Sequence, residues 1–233
     1  ITEDSSTELA DVDATTLTLV SGGAITQTGG LSVSGVATLT APGSSITLGD
    51  GSNDFGTVTI GGTTTTSVTL ADTNGLNLGG LDITGDLDVD AGGALADGGN
   101  TIAVDGTGSF ATTGNGSNIT LTGLDVGGVV DVNTAATSNA TLTNVGGVEF
   151  SASATSTVNG DLTVTAGGDI TDASGATLVV TGLSDLTATG SNIVLGDNTD
   201  TTNFGSLNVA GTTVTITEDS STELADVDAT TLT

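Results

Sequence analysis

Short triplets of apolar, polar and apolar residues recur along the whole chain. Ile46-Thr47-Leu48, Val58-Thr59-Ile60, Val68-Thr69-Leu70, Leu81-Asp82-Ile83, Leu87-Asp88-Val89, Ile119-Thr120-Leu121 and Leu162-Thr163-Val164 are examples, and Ile193-Val194-Leu195 keeps the apolar ends. Alternation of period two is the signature of a strand with one buried face. Between the triplets lie Gly, Asn, Asp, Ser and Thr, the residues of turns and short loops. No 3.6-residue stripe persists, so no helix is expected. Strands of about three to five residues are too short for a sandwich and suit a β-solenoid. Each coil then lays two or three strands on different sides of a prism, and coils stack about 4.8 Å apart through parallel ladders. Leu, Val and Ile point inward, Thr, Asp and Ser outward, and like residues are expected to stack on like.

A longer period overlies this pattern. Residues 1–18, ITEDSSTELADVDATTLT, return unchanged as residues 216–233. The chain therefore reads as one repeat, 1–215, and the start of the next, 216–233. Inside the repeat, GGAITQTGG at Gly22 is echoed by GGALADGGN at Gly92 and GGDITDASG at Gly167. GSSITLGD at Gly43, GSNITLTG at Gly116 and GSNIVLGD at Gly190 form a second series. NDFGTVTI at Asn53 matches TNFGSLNV at Thr202, with Val126-Gly127 standing for Phe-Gly in the middle copy. Three internal sub-repeats follow, about 22–91, 92–166 and 167–233, within one continuous solenoid over 1–233. Nine or ten coils per repeat would advance the axis by roughly 45 Å. Ile1 and Ile216 are expected at equivalent places one repeat apart, and Phe55 and Phe204 at equivalent inward places.

Composition narrows the function. The chain has no Lys, Arg, His, Cys, Met, Trp or Tyr, and its 28 acidic residues give a net charge of -28. Without a starting Met, it reads as a fragment or a processed piece. No side chain can neutralise a phosphate, which excludes nucleic acid as a partner and disfavours an anionic lipid surface. Side-chain salt bridges, disulfides and Lys–Asn isopeptide bonds are all impossible. Stability must come from burial and backbone hydrogen bonds. The same absences leave no site for trypsin-like cleavage, which suits a chain that works outside the cell. No apolar run approaches the roughly 18 residues of a membrane span.

Two stretches carry a family resemblance. GDLTVTAGGDITDASGATLVVTG, residues 160–182, resembles the β-helix repeats of filamentous-haemagglutinin-type large bacterial exoproteins. GSNIVLGDNTDTTNFGSLNVAGTTVTITEDSSTEL, residues 190–224, is similar to repeats in giant bacterial surface proteins of that kind. The resemblance implies a right-handed parallel β-helix in an exported bacterial protein, extracellular or at the cell surface.

Candidate chemistry is sparse. An activated nucleophile usually needs His or Lys nearby, and both are absent. Paired carboxylates could hydrolyse a glycan, but there is no Trp or Tyr platform for a sugar and no cation for a uronate. The chain is therefore expected not to be an enzyme. Asp50, Ser52 and Asp54 alternate as oxygen ligands do in calcium loops, and Asp197 and Asp200 stand nearby in the related GDNTDTTNFG. No Glu closes a twelve-residue loop, the calcium-roll nonapeptide is absent, and Asp is also a turn former. No metal site or cofactor is assigned. Asp50, Asp54, Asp197 and Asp200 stand as the calcium candidates, beside diffuse divalent binding to stacked carboxylates. Asn115, Asn118 and Asn139 open sequons of the kind that a Thr- and Ser-rich chain also yields by chance. Outward Thr ladders suggest an ice-binding face, but that needs a flat, regular Thr-x-Thr surface, and Asp intrudes over 81–90. The expected function is the structural shaft of an extracellular bacterial fibre or giant adhesin. Its partners would be further copies of the repeat, stacked end to end in the same chain. The alternative is a repeat module that binds a surface, a glycan or calcium.

Overall fold

The structure, a computed structural model, describes residues 1–62, 64–196 and 199–233. Its 26 strands join in one continuous parallel β-solenoid of about 11 turns, with no helix among the described residues. From Leu76 onward, each turn contributes a strand to each of three ladders. In the first, Leu17 lies opposite Ala37, Ala37 opposite Val58 and Val58 opposite Leu78. It continues as Leu76–Leu95–Ile119–Ala140–Leu162–Ser184–Leu207, each step being one turn of the solenoid. The second stacks Ile25, Ile46, Val68, Leu87, Gly108 and Val130. The third begins at Leu81 and stacks Ile102 and Leu124, then Val148, Ile170, Ile193 and Val214. In the opening turns an extra strand instead sits between the second and first ladders, with Val12 opposite Leu31 and Val33 opposite Phe55.

Alternation sets the burial. Leu17–Ser21 buries positions one, three and five and exposes the other two. Ile46, Ile119 and Ile193 are wholly buried, as expected from their triplets. The core is one cluster of Leu, Val, Ile and Ala running the length of the prism, with all four Phe inside it. Close stacking explains the Gly at many corners. A Cβ on Gly123 would lie 2.2 Å from the carbonyl oxygen of Asn100 in the turn beneath, and one on Gly167 would lie 2.0 Å from that of Val145.

Phe55 and Phe204 do fill equivalent places. Both lie inward, opposite Val33 and Val180, where the chain turns into the first ladder. Val126 does not share that place: it lies on the third ladder, opposite Val104. The expectation of like stacking on like also fails for the internal repeats. Ile46 is on the second ladder, Ile119 on the first and Ile193 on the third. Ile25, Leu95 and Ile170 of the GG-containing series distribute in the same way. Nearly the same length of chain separates Ile46 from Ile119 as separates Ile119 from Ile193. One turn runs from Leu95 to Ile119 and the next from Ile119 to Ala140. On that scale a sub-repeat makes about three and a third turns, so its motifs rotate by one side of the prism.

Ile1 and Ile216 are not equivalent. Near Ile1, Thr2 and Glu3 pair with Val20 and Ser21 of the first ladder, whereas Ile216 pairs with Leu195 of the third. The same sequence thus takes two arrangements at the two ends.

Leu142→Ala removes a fully buried first-ladder side chain and should cost about 2–5 kcal/mol. The outward neighbour change Thr141→Ala should stay within about 0.5 kcal/mol. Denaturant unfolding measures both, and equal losses would contradict the assigned faces.

Candidate functional site

Some acidic and amide side chains stand where the chain turns a corner, while others, such as Asp82, Asp88 and Asp125, face outward from strands. At a corner the backbone N–H cannot always reach the carbonyl of the neighbouring turn, and a buried unpaired N–H is costly. Side-chain oxygens fill the gaps, in two recurring ways.

The first is a column at the residue just before a strand. Asn118 Oδ1 accepts the N–H of Asn139 at 2.9 Å, and Asn139 Oδ1 that of Asp161 at 2.8 Å. Asp161 Oδ1 in turn accepts that of Leu183 at 2.9 Å. Each side chain thus binds the next member of its own column along the first ladder. Asp86 and Thr107 repeat the arrangement on the second ladder at 2.8 Å, and Asp169 and Asn192 on the third at 2.7 Å.

The second is an acid folded over its own turn. Asp97, almost wholly buried, accepts the N–H groups of Gly99 at 2.9 Å, Thr122 at 2.6 Å and Gly123 at 2.7 Å. Asp72 accepts those of Asn74 at 2.8 Å and Phe55 at 2.6 Å. Glu218 accepts those of Ser220 at 2.7 Å and Phe204 at 2.8 Å. One bond closes the local turn and the other clamps an adjacent coil. Buried Asn53 does this with an amide, donating to the carbonyls of Leu48 and Ala71 and pairing with Gln27.

The calcium candidates belong to the same scheme. Asp50 is exposed and accepts the backbone N–H and the hydroxyl of Ser52, bonds that hold its carboxyl below the usual range. Asp54 accepts the side-chain amide of Asn74 at 2.9 Å. Asp200 accepts the N–H of Gly175. Asp197 lies outside the described residues. Among the described residues, no three acidic side chains converge on one point where a cation could sit. The nearest approaches to pockets are shallow surface grooves, such as the one between Gly49, Asp72 and Asp90.

Two buried acids, Asp72 and Asp131, escaped the sequence reading, which placed Asp in turns or on outward faces. Burial pushes the Asp72 carboxyl up from its ordinary value, against the bonds from Phe55 and Asn74, and nearby Asp54 adds to the rise. Burial also raises Asp131, with a contribution from the Asp88 charge, although Ser151 donates to it. One Asp131 oxygen is buried without a hydrogen-bond partner. Asp88 faces outward as expected, and its carboxyl is raised by desolvation and then by Asp90. A local signal exists for two of the corner acids: Leu-Ala-Asp with a Gly two or three places on, in 70–75 and 95–99.

Three stretches, residues 1–61, 65–133 and 137–205, match a family described as repeats of unknown function (DUF5649). No curated protein and no solved structure matches the chain.

Asp97→Ala should cost about 3 kcal/mol by orphaning three backbone donors, and Asp97→Asn should recover part of that. Equal losses for the two in urea melts would point to packing instead. Asp131 has a raised folded-state pKa, so its contribution is fully favourable below the ordinary carboxylate value of about 4 and is lost as pH rises through the folded value. Asp131→Asn should therefore raise the melting temperature at neutral pH by a few degrees, for about 1 kcal/mol. That gain should disappear in acid, and a gain independent of pH would refute the electrostatic origin.

Proposed function

The chain belongs to the DUF5649 repeat family, and we propose that it is a length of structural shaft in an extracellular bacterial fibre or giant surface adhesin. The observation that carries this reading is the first ladder, which runs unbroken from Thr2 to Val227. A stack of coils held by such a ladder grows along one axis as repeats are added, and each added coil needs only a neighbour above and below. The matched repeats each supply three strands to this ladder after residue 16, so length scales with copy number. The surface charge of -28 has no cationic counterpart among the side chains, which opposes lateral clumping of rods. The acids described at the corners serve the backbone, as a shaft requires. Nothing in this role calls for catalysis or a cofactor. No helix among the described residues is long and apolar enough to cross a membrane.

The native protein should appear in electron micrographs as an unbranched rod with an axial repeat of roughly 45 Å. Compact particles would refute the shaft. Denaturing electrophoresis should show one chain longer than 22.2 kDa, and a band at that mass would mean stacked subunits instead.

A further inference from the structure

We propose that a calcium ion bridges Asp88 and Asp131 over Ser109 on the outer face of the second ladder, at a site separate from the corner acids and independent of the shaft reading.

The three side chains form one column. Asp88 lies opposite Ser109, and Ser109 opposite Asp131, each one turn further along. Val130 and Val132 take the core side of their strand, so Asp131 leaves it outward, yet Asp131 is only 4% exposed. The following turn covers it. Phe150 lies opposite Val130 and Thr157 opposite Asn133, so residues 151–156 span the gap that 131 and 132 span on their own strand. The surplus makes an exposed excursion at 152–155, with buried Ser151 and Ser156 at its feet. Ser151 donates to Asp131 from that side. One Asp131 oxygen is nevertheless buried without a partner. On the other side stands Ser109, which donates to Asp88, and beyond it Asp88 itself, near enough for its charge to act on Asp131.

A buried carboxylate with an open oxygen is costly unless a donor or a positive charge reaches it. This chain has no Lys, Arg or His to send, so the counter-charge must come from outside. Two carboxylates match the charge of one divalent cation. Two turns set their Cα atoms roughly 10 Å apart, and side chains leaning toward each other over the small Ser109 can each approach an ion to about 2.4 Å. Water and the Ser109 hydroxyl complete the shell. Calcium accepts such an irregular set of oxygens, whereas magnesium demands a near-ideal octahedron. The third ladder holds a natural comparison. Asp82, Ala103 and Asp125 form a column of the same spacing, but both acids are exposed and no hydroxyl lies between them. That column should attract cations only diffusely.

Isothermal titration of the 233-residue chain with calcium chloride, in enough sodium chloride to screen diffuse binding, should show about one saturable site per chain. Asp88→Asn and Asp131→Asn should each weaken that site roughly tenfold or more, and magnesium chloride should bind the parent more weakly by a similar factor. An Asp82→Asn/Asp125→Asn variant should bind calcium as the parent does. Thermal melts give a second readout and report that the variants fold. With a chelator present, Asp131→Asn should melt above the parent. Saturating calcium should reverse that order, raising the parent by about 5 °C and leaving the variant where it was. Absence of a saturable site, its survival in Asp131→Asn, its loss in the Asp82/Asp125 variant, or a melting order that calcium does not change overturns the proposal. Equal affinity for magnesium overturns the choice of calcium.

Discussion

Each turn of this solenoid depends on the turns next to it. A short strand cannot hold its own shape, and among the described residues none pairs within its own turn: its partners lie one turn earlier or later along the chain. Backbone ladders and the continuous apolar column are therefore the same constraint seen from outside and inside. The ladder fixes the stacking distance, and the distance fixes which residues fit at the corners. Gly123 and Gly167 answer that constraint directly, since a Cβ at either would run into a carbonyl of the turn beneath.

Part of the acidic character follows from the same geometry. Corners interrupt the ladder and leave N–H donors facing outward. Asp, Asn and Glu are acceptors of the right length to reach them, whereas Lys and Arg can only donate. A carboxylate that accepts several backbone N–H groups, as Asp97 does, finds its hydrogen-bond partners without a cationic side chain. Where donors are fewer, the charge is costly. Asp131, with one oxygen unpartnered and Asp88 not far off, shows that limit. A high negative charge and tight corners are thus compatible, and the charge has a structural use before it has a surface one.

Much of this was legible in the sequence because period two is an unambiguous signal over short segments. The triplets located the strands and the inward residues, and the duplicated terminal stretch located the long period. Two things were not legible. The side of the prism on which a strand falls depends on the summed lengths of all loops in a turn, and no local pattern encodes a sum. Ile46, Ile119 and Ile193 therefore look alike in sequence yet occupy three ladders. The depth of an acid was hidden for a related reason. Asp50 and Asp97 both sit in Gly-rich turns, but Asp97 is covered by the backbone of residues 122 and 123, which are distant in sequence.

The rotation gives the long period a physical meaning. A unit of about three and a third turns cannot stack its faces on those of the next unit, because its motifs arrive one side further round. Three such units restore the starting side. Divergence among the sub-repeats is then tolerated and even required: each must fit different neighbours at its corners, as Asn118, Asp86 and Asp169 do on three separate ladders. Sequence identity should instead return only when the environment returns, after all three units. ITEDSSTELADVDATTLT recurs unchanged, first at Ile1 and again at Ile216, while the internal copies are only loosely alike; at the two ends of this stack, where each copy has coils on one side alone, the two nonetheless pair differently.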